Sequence, residues 1–497
     1  MTLETATAGG GIAGAVVVVG AEADRVRMRR RSPKLPAVSP RSPEDTIAAV
    51  STPPGEGGIG IVRLSGPEAV AIATRVFVSS RGADIARSKQ RIFHGTVRDG
   101  DTVIDEVLLH VMRAPRSYTA EDVVEINCHG GAAPVQSVLS LVLRHGARLA
   151  SPGEFTKRAF LNGRIDLIQA EAVIDRIQAQ SDAALRAASA AAGGILSKSL
   201  HELSDVLIDA LARIESAIDF PDEDLPELVD DALRARLTAT LNRMQELLAT
   251  AEAGRLYREG ACLAIMGQPN VGKSSLFNAL LRDSRAIVTA VPGTTRDRLD
   301  EMLTIAGVPI RISDTAGLRE TGDEVERIGI ERAREALRNA DIVLHVVDIA
   351  SGDTDQDSVI AEEIRDCARP AVLVLNKIDL APGAAGAAID ETLYRAVCRV
   401  SAVTGEGLQQ LETEIGRLLL GDAPIAPDQG LITRVHQRDS LRRAAVALER
   451  LLANYTASPE FLSIDLRESL DAIGEITGET TPEDVLTRIF ATFCMGK

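Results

Sequence analysis

The stretch Cys262–Leu281, CLAIMGQPNVGKSSLFNALL, decides the fold. It opens with an apolar run of strand character and closes with a helix-like pattern. Between them, GQPNVGKS (Gly267–Ser274) matches G-x-x-x-x-G-K-[ST]. Glycines at these positions let backbone amides curl around phosphates, Lys273 supplies a point charge, and Ser274 can ligate Mg²⁺. Alone, the pattern is also a Gly-rich strand-to-helix turn. The strand before it and the helix after it favour phosphate binding.

Working outward, PIRISDTAG, DIVLHVVD and AVLVLNKID are further short apolar strands followed by helix-like sequence. That alternation implies a mostly parallel sheet with helices on both faces. Three more motifs occur in the order a GTP site needs. PGTTRD (Pro292–Asp297) offers Thr295 as a second Mg²⁺ ligand near the γ-phosphate. DTAG puts Asp314 at a strand end, to hold the metal through water, and Gly317 where an amide can meet the γ-phosphate. NKID offers Asn376 and Asp379, whose carboxylate can accept both N–H groups on one edge of guanine, and SAVTGEG (Ser401–Gly407) supplies a loop behind the base. Each alone is also a surface turn; in order they imply GTP binding. One position is unusual. Leu318 follows Asp-x-x-Gly where a water-orienting glutamine is common, and leucine cannot hydrogen-bond a water. Either hydrolysis is lost or other groups replace the glutamine and an arginine finger, with Asn270 helping to hold a monovalent cation and an acid of ETGDEVERIGIER aligning the water; by sequence alone Glu326 is one of several exposed acids in that run.

The α/β segment (260–422) is flanked by helical sequence. Residues 165–259 are rich in Ala, Leu, Glu and Arg, and in the second block (423–497) Leu441, Ala444, Ala445, Leu448, Leu451 and Leu452 recur at helical spacing. The expectation is one helical domain interrupted by an inserted α/β domain. Residues 43–164 suggest a small α+β domain: TIAAVSTPPGEGGIGIVRLSG reads as strand, loop, strand; RIFHGTV and TVIDEVLLHVM flank an Asp-Gly turn; APVQSVLSLVLRHG is helical. SPGEFTKRAFLNGR reads as a loop. Residues 1–42, rich in Gly, Ala, Arg and Pro, are expected to be a disordered extension, and a misassigned start would give the same composition.

Net charge is −16, which argues against non-specific polyanion binding, and with 3% aromatic residues and no Trp a stacking platform for single strands is not expected. Five scattered cysteines without C-x-x-C spacing suggest reduced thiols in a cytoplasmic protein. No apolar run is long enough to span a bilayer, so no membrane role is expected.

From Asp45 to Lys497 the chain resembles the MnmE (TrmE) family of tRNA uridine-modifying GTPases. The resemblance is carried by DTIAAVSTPPGEGGIGIVRLSG, APRSYTAEDVVEINCHGG, PGEFTKRAFLNGRIDLIQAEAV, DFPDEDLPE, GQPNVGKSS, PGTTRD, DTAGLRE, DEVERIGIERA and the terminal FCMGK. It implies an N-terminal folate-binding and dimerisation α+β domain, a split all-α domain and an inserted α/β Ras-like G domain. It also implies a potassium-activated GTPase with Glu326 as the catalytic acid in place of the glutamine, K⁺ held by Asn270, Thr289, Val291 (through its carbonyl) and Thr294, and Mg²⁺ held by Ser274 and Thr295.

By the same resemblance, GTP contacts fall on Asn270, Val271, Gly272, Lys273, Ser274 and Ser275; on Thr289, Ala290, Val291, Pro292, Gly293, Thr294 and Thr295; on Asp314, Thr315, Ala316 and Gly317; and on Asn376, Lys377, Ile378, Asp379, Ser401, Ala402 and Val403. A tetrahydrofolate derivative (5-formyl- or methylene-tetrahydrofolate) would meet Arg63, Glu125, Arg164 and Lys497. Without the resemblance, Arg63 and Arg164 read as solvated surface charges. Cys494 is a candidate functional thiol or a small buried hydrophobe at a helix end. The implied function is modification of the wobble uridine of certain tRNAs by a homodimer. It would act with an FAD-dependent partner, MnmG (GidA), in a heterotetramer or larger complex, installing an aminomethyl or carboxymethylaminomethyl group at C5 from a folate one-carbon unit. The chain lacks a G-x-G-x-x-G dinucleotide fingerprint, which fits redox chemistry supplied by a partner. The alternatives are a potassium-dependent GTPase of ribosome assembly and a folate-binding scaffold with a silent GTP site.

Overall fold

A computed structural model describes residues 45–87, 91–219, 229–283, 302–313, 337–351, 355–381, 389–422 and 425–496. The expected extension, residues 1–42, and all but the first residue of the motif DFPDEDLPE lie outside these residues.

The first part begins with β1 (Ile47–Val50), β2 (Gly57–Ser65), α1 (Ala69–Val76), β3 (Phe77–Ser79), β4 (Ile92–Asp99) and β5 (Thr102–Met112). It continues with β6 (Val123–Gly130), α2 (Ala132–Arg144) and β7 (Arg148–Leu149). They form a seven-stranded sheet, β3-β4-β5-β6-β2-β1-β7, antiparallel except for β1 with β7. Alternate residues of β4 point inward, Phe93 and Val97 among them, to pack with Leu64, Ile72 and Leu141. The register sets Arg63 opposite Glu125.

The stretch SPGEFTKRAFLNGR is not a loop throughout: Glu154–Leu161 form α3. Phe155, Thr156, Arg158 and Ala159 give this short helix a buried face, a pattern too brief for helical periodicity to reveal. Arg158, only 7% exposed, bonds to the Asp45 carboxylate at 2.5 Å, to Glu154 at 3.1 Å and to Glu121 at 3.3 Å, and Arg148 clamps Glu154 at 2.6 Å. Burial alone would raise Asp45 and Glu154, but hydrogen bonds from the two arginines outweigh it, so both titrate below their ordinary values of 3.8 and 4.5. Carboxyls depressed by folding stabilise the fold above their unfolded pKa and lose that contribution as the pH falls through the folded one. The lowest thermal transition should therefore hold steady from about pH 7 to about pH 5 and fall by several degrees below about pH 4. Calorimetry showing a flat profile down to about pH 3 would remove this network as a stabilising element.

The helical part is built from two separated stretches. The first contains α4 (Leu167–Gln178), α5 (Asp182–Ala192), α6 (Ile195–Asp219), α7 (Asp231–Ala249) and α8 (Ala251–Glu259). The α/β part follows, as β8 (Ala261–Met266), α9 (Lys273–Asp283), β9 (Met302–Ile305), β10 (Val308–Ser313), β11 (Ile342–Asp348), α10 (Asp355–Cys367), β12 (Ala371–Asn376), β13 (Ala396–Arg399) and α11 (Leu408–Leu420). Then α12 (Val435–Ala453), α13 (Pro459–Thr477) and α14 (Glu483–Ala491) close the chain.

Leu200, Leu207 and Leu237 from the first stretch share one core with Leu441, Leu448, Leu466 and Ile473 from the second. The expected apolar face of α12 is buried, with Leu452 at its margin. The exit of the inserted part is pinned at α4. Glu171, 2% exposed, accepts from Gln437 at 2.9 Å and ion-pairs with Arg434, which also meets Asp175 at 2.7 Å.

The α/β sheet runs β13-β12-β11-β8-β10-β9, parallel except for β9. β11 and β12 are buried almost throughout, as continuous apolar runs must be when helices cover both faces. Reading the motifs alone misses β9 and β13, short strands whose apolar character is diluted by Thr and Arg.

Candidate functional site

The sheet order reverses around β8, and the crevice outside the carboxyl ends of its strands is where ligands sit in open α/β sheets. The predicted phosphate loop leaves β8 there. Gly267 (φ +147) and Gly272 (φ +97) hold left-handed backbone. A Cβ on Gly267 would run into the Val346 carbonyl, and one on Gly272 into the Asn376 amide. No side chain fits at either position. The loop curls around its own lysine, whose Nζ donates to Gly267 O at 2.7 Å and Gln268 O at 2.6 Å. α9 starts at Lys273, so its N-terminal amides and positive dipole end face the crevice. Ser274 and Ser275 are in its first turn.

The guanine motifs are tied directly to this loop. Buried Asn376 donates to Val271 O at 2.8 Å and accepts from Ala402 N at 3.1 Å. Lys377, held at φ +64, donates to Asn270 O at 2.8 Å and to Asp348 Oδ2 at 2.6 Å. The Ser401 hydroxyl donates to Asp379 Oδ1 at 2.6 Å, which orients a carboxylate exposed at the crevice. Asn270, Val271, Gly272, Lys273, Asn376, Lys377, Asp379, Ser401 and Ala402 are thus one bonded assembly, with Ile378 and Val403 beside them in the two motif loops. Thr289, Ala290, Val291, Pro292, Gly293, Thr294, Thr295, Asp314, Thr315, Ala316, Gly317 and Glu326 lie outside the described residues.

A second polar assembly lies far from the first in sequence. Arg63 Nε donates to Glu125 Oε1 at 2.8 Å across the β2–β6 pair, and Arg63 Nη1 donates to Gly496 O at 3.2 Å. Its guanidinium stands 5.4 Å from the Tyr118 ring centroid and 5.6 Å from that of Phe155. Arg164 covers the Tyr118 ring at 5.2 Å and donates to Tyr118 O at 2.9 Å. Sequence reasoning passed over Tyr118 and Phe155. Both lie inside motifs quoted for the resemblance, but only folding places an aromatic ring between the two arginines. Lys497 lies outside the described residues.

The C-terminal tail reaches this place because Phe490 and Phe493 pack against Leu167, Ala170 and Ile174 of α4. Gly153 N then donates to Cys494 O at 3.2 Å, and Ser51 Oγ to Gly496 O at 3.2 Å. Cys494 is exposed, not buried, whereas burial pushes the Cys128 thiol up to about 11. All five cysteines are free. A Cβ on Gly496 would strike the Val50 carbonyl. Gly496→Ala should therefore lift the tail off Arg63 and speed amide exchange of residues 493–496 about tenfold or more, through loss of the charge-assisted hydrogen bond to Gly496 O. Unchanged exchange in hydrogen–deuterium exchange of the full-length protein would mean that the docked carbonyl does not hold the tail.

Among the described residues no three His, Cys, Asp or Glu side chains cluster as a metal site, and no helix is long and apolar enough to cross a membrane. A sheet of this order, with a phosphate loop after its central strand and Asn-Lys-x-Asp at the end of β12, defines a Ras-like GTP-binding domain of the GTP-hydrolase class.

Two family descriptions match the chain: "GTP-binding protein TrmE N-terminus" over residues 46–164 and "MnmE helical domain" over residues 167–494. Proteins named tRNA modification GTPase MnmE from Roseiflexus castenholzii and Heliobacterium modesticaldum are 47% identical over 471 residues and 46% identical over 469 residues. Each alignment covers 91% of this chain and 99% of the relative. A crystal structure of the G domain of the T. maritima FeoB iron transporter is 31% identical, covering 32% of this chain and 98% of that one, with a TM-score of 0.24. The chain belongs to the tRNA modification GTPase MnmE family.

Proposed function

We propose that this GTP hydrolase is potassium-activated and, with an FAD-dependent MnmG (GidA) partner, installs an aminomethyl or carboxymethylaminomethyl group at C5 of the wobble uridine of certain tRNAs. A folate one-carbon unit supplies the carbon. The observation that carries this reading is the union, in one chain, of a guanine-nucleotide assembly with the Arg63–Glu125–Arg164 assembly closed by the C-terminal tail. A GTPase that only sensed nucleotide would have no use for the second.

The working units are residues 43–164 for folate and dimerisation, 165–259 with 423–497 for the helical body, and 260–422 for GTP. In the last, Asp379 reads guanine while Ser401 holds it, Lys273 and the α9 amides take the phosphates, and Glu326 orients the attacking water. Asn270, Thr289, Thr294 and the carbonyl of Val291 would hold K⁺, and Ser274 and Thr295 would hold Mg²⁺. When bound, the two cations supply positive charge against that developing on the phosphates. Asn270 suits this role, since its backbone oxygen is engaged by Lys377 while its side chain is exposed in the phosphate loop.

At the other site, Glu125 can accept from the N–H edge of a pterin, while Arg63, Arg164 and Lys497 offer charge to the anionic tail. The half-buried Arg63–Glu125 pair and the Tyr118 ring provide the polar and flat surfaces such a ligand needs. The homodimer works in the cytoplasm, and with a net charge of −16 it leaves much of the grip on tRNA to the partner.

The test is nucleoside analysis of tRNA from a strain deleted for this gene. The C5-modified wobble uridine should disappear and return on complementation with the wild-type chain but not with Arg63→Ala. Normal modification in the deletion strain would overturn the proposal and favour a role in ribosome assembly.

A further inference from the structure

The β9–β10 hairpin occupies a position that the proposed chemistry does not use. In sequence it joins the segment carrying Thr289–Thr295 to the segment beginning at Asp314, so its open end adjoins residues proposed to sense the γ-phosphate and the metal. Its turn, Ala306–Gly307, lies at the other end and meets the helical part. Ser181, the N-cap of α5, accepts from Ala184 N at 3.1 Å and donates its hydroxyl proton to Gly307 O at 2.7 Å. The fit is close on both sides. A Cβ on Gly307 would lie 2.8 Å from Ala183 Cβ of α5, and one on Gly416 of α11 would lie 2.8 Å from Ala306 Cβ.

The hairpin is also part of the same core as the helix that grips it. Leu303, Ile305, Val308 and Ile310 share a buried cluster with Ala183 and Ala187. Beside the contact, α4, α5, the end of α8 and Arg311 of β10 line a cleft of about 270 Å³. The Arg311 side chain makes no hydrogen bond or ion pair among the described residues.

We infer that the Ser181–Gly307 contact transmits the nucleotide state of the α/β part to α5, and that Ser181 is a positioning residue for coupling the two parts. The inference rests on the GTP-hydrolase reading. A short antiparallel ladder is stiff along its strands, so displacement at its open end appears at its turn. The path continues through packed elements. α5 lies against α4, and α4 holds both Arg434 at the exit of the α/β part and the Phe490–Phe493 tail that docks by Arg63. A chain of contacts alone does not establish coupling, so the claim turns on measurement.

Hydrogen–deuterium exchange of the full-length protein in KCl and MgCl₂, with GDP or a non-hydrolysable GTP analogue, reads it directly. Amides of α5 should exchange at rates differing about fivefold or more between the two nucleotides. Ser181→Ala should abolish that difference while α9 still distinguishes the nucleotides; Ser181→Thr, which keeps the hydroxyl, should preserve it. Gly307→Ala should reproduce the loss. Identical α5 exchange in both states of the wild type, or an intact difference in Ser181→Ala, would overturn the inference. Failure of α9 to respond to any nucleotide would overturn both it and the GTP reading.

Discussion

Asp379→Asn is expected to lower GTP affinity about a hundredfold or more and to let xanthosine triphosphate bind in its place. In the proposed role the carboxylate would accept two N–H groups from one edge of guanine, each a charge-assisted hydrogen bond worth about 1.5–3 kcal/mol. An amide offers one acceptor and one donor, so its NH₂ meets a guanine N–H head-on. Xanthine carries a carbonyl where guanine has its amino group, and that carbonyl accepts from the new NH₂. Because Ser401 donates to Asp379 Oδ1 at 2.6 Å, and an asparagine oxygen can accept the same bond, the loop should keep its shape. Competition binding with both triphosphates decides the matter. An unchanged GTP affinity would mean that Asp379 does not read the base, whatever the motif suggests.

The two assemblies differ in how far the sequence discloses them. The nucleotide assembly is local in its logic: glycines in a strand-to-helix turn, an Asn-Lys-x-Asp at a strand end and a Ser-Ala loop each announce themselves within a few residues. The strands that carry them are buried on both faces and therefore apolar enough to recognise. What could not be read is the bonding between motifs more than a hundred residues apart, as when Asn376 reaches Val271 O.

The N-terminal assembly is non-local from the start. Arg63 gains its meaning from a register that puts it opposite Glu125, from a ring supplied by Tyr118 and from a backbone carbonyl at the far end of the chain. As isolated residues, Arg63 and Arg164 are indistinguishable from surface charges, and only the resemblance to a family selected them. The Arg148–Arg158 network escaped notice for the same reason. Its carboxylates come from the segment before β1, from the loop after β5 and from α3, and α3 is too short to show a period. Likewise β9, the strand on which the coupling inference depends, has only four residues and no motif.

Steady-state GTP hydrolysis in KCl should exceed that in NaCl of equal ionic strength by about a hundredfold, with the difference in kcat and little change in KM. Phosphoryl transfer demands positive charge near the bridging oxygen and a positioned water. Leu318 provides neither, since its side chain has no polar atom. If Asn270 and its partners hold a potassium ion, the first demand is met by a cation whose size matters; sodium, which is smaller, draws the same oxygens into a different geometry. Glu326→Ala alongside should lower kcat by about 10²–10³ in KCl, the usual cost of removing one group that acts on the transition state. GTP affinity should stay unchanged, because in the proposed role the acid would meet the water and not the nucleotide. Asn270→Ala should lower the KCl rate toward the NaCl rate and leave the NaCl rate where it was. Equal kcat in the two salts would remove the monovalent cation from the site. A Glu326→Ala rate equal to wild type would remove the acid, and the water would then need another base among the residues around Asp314.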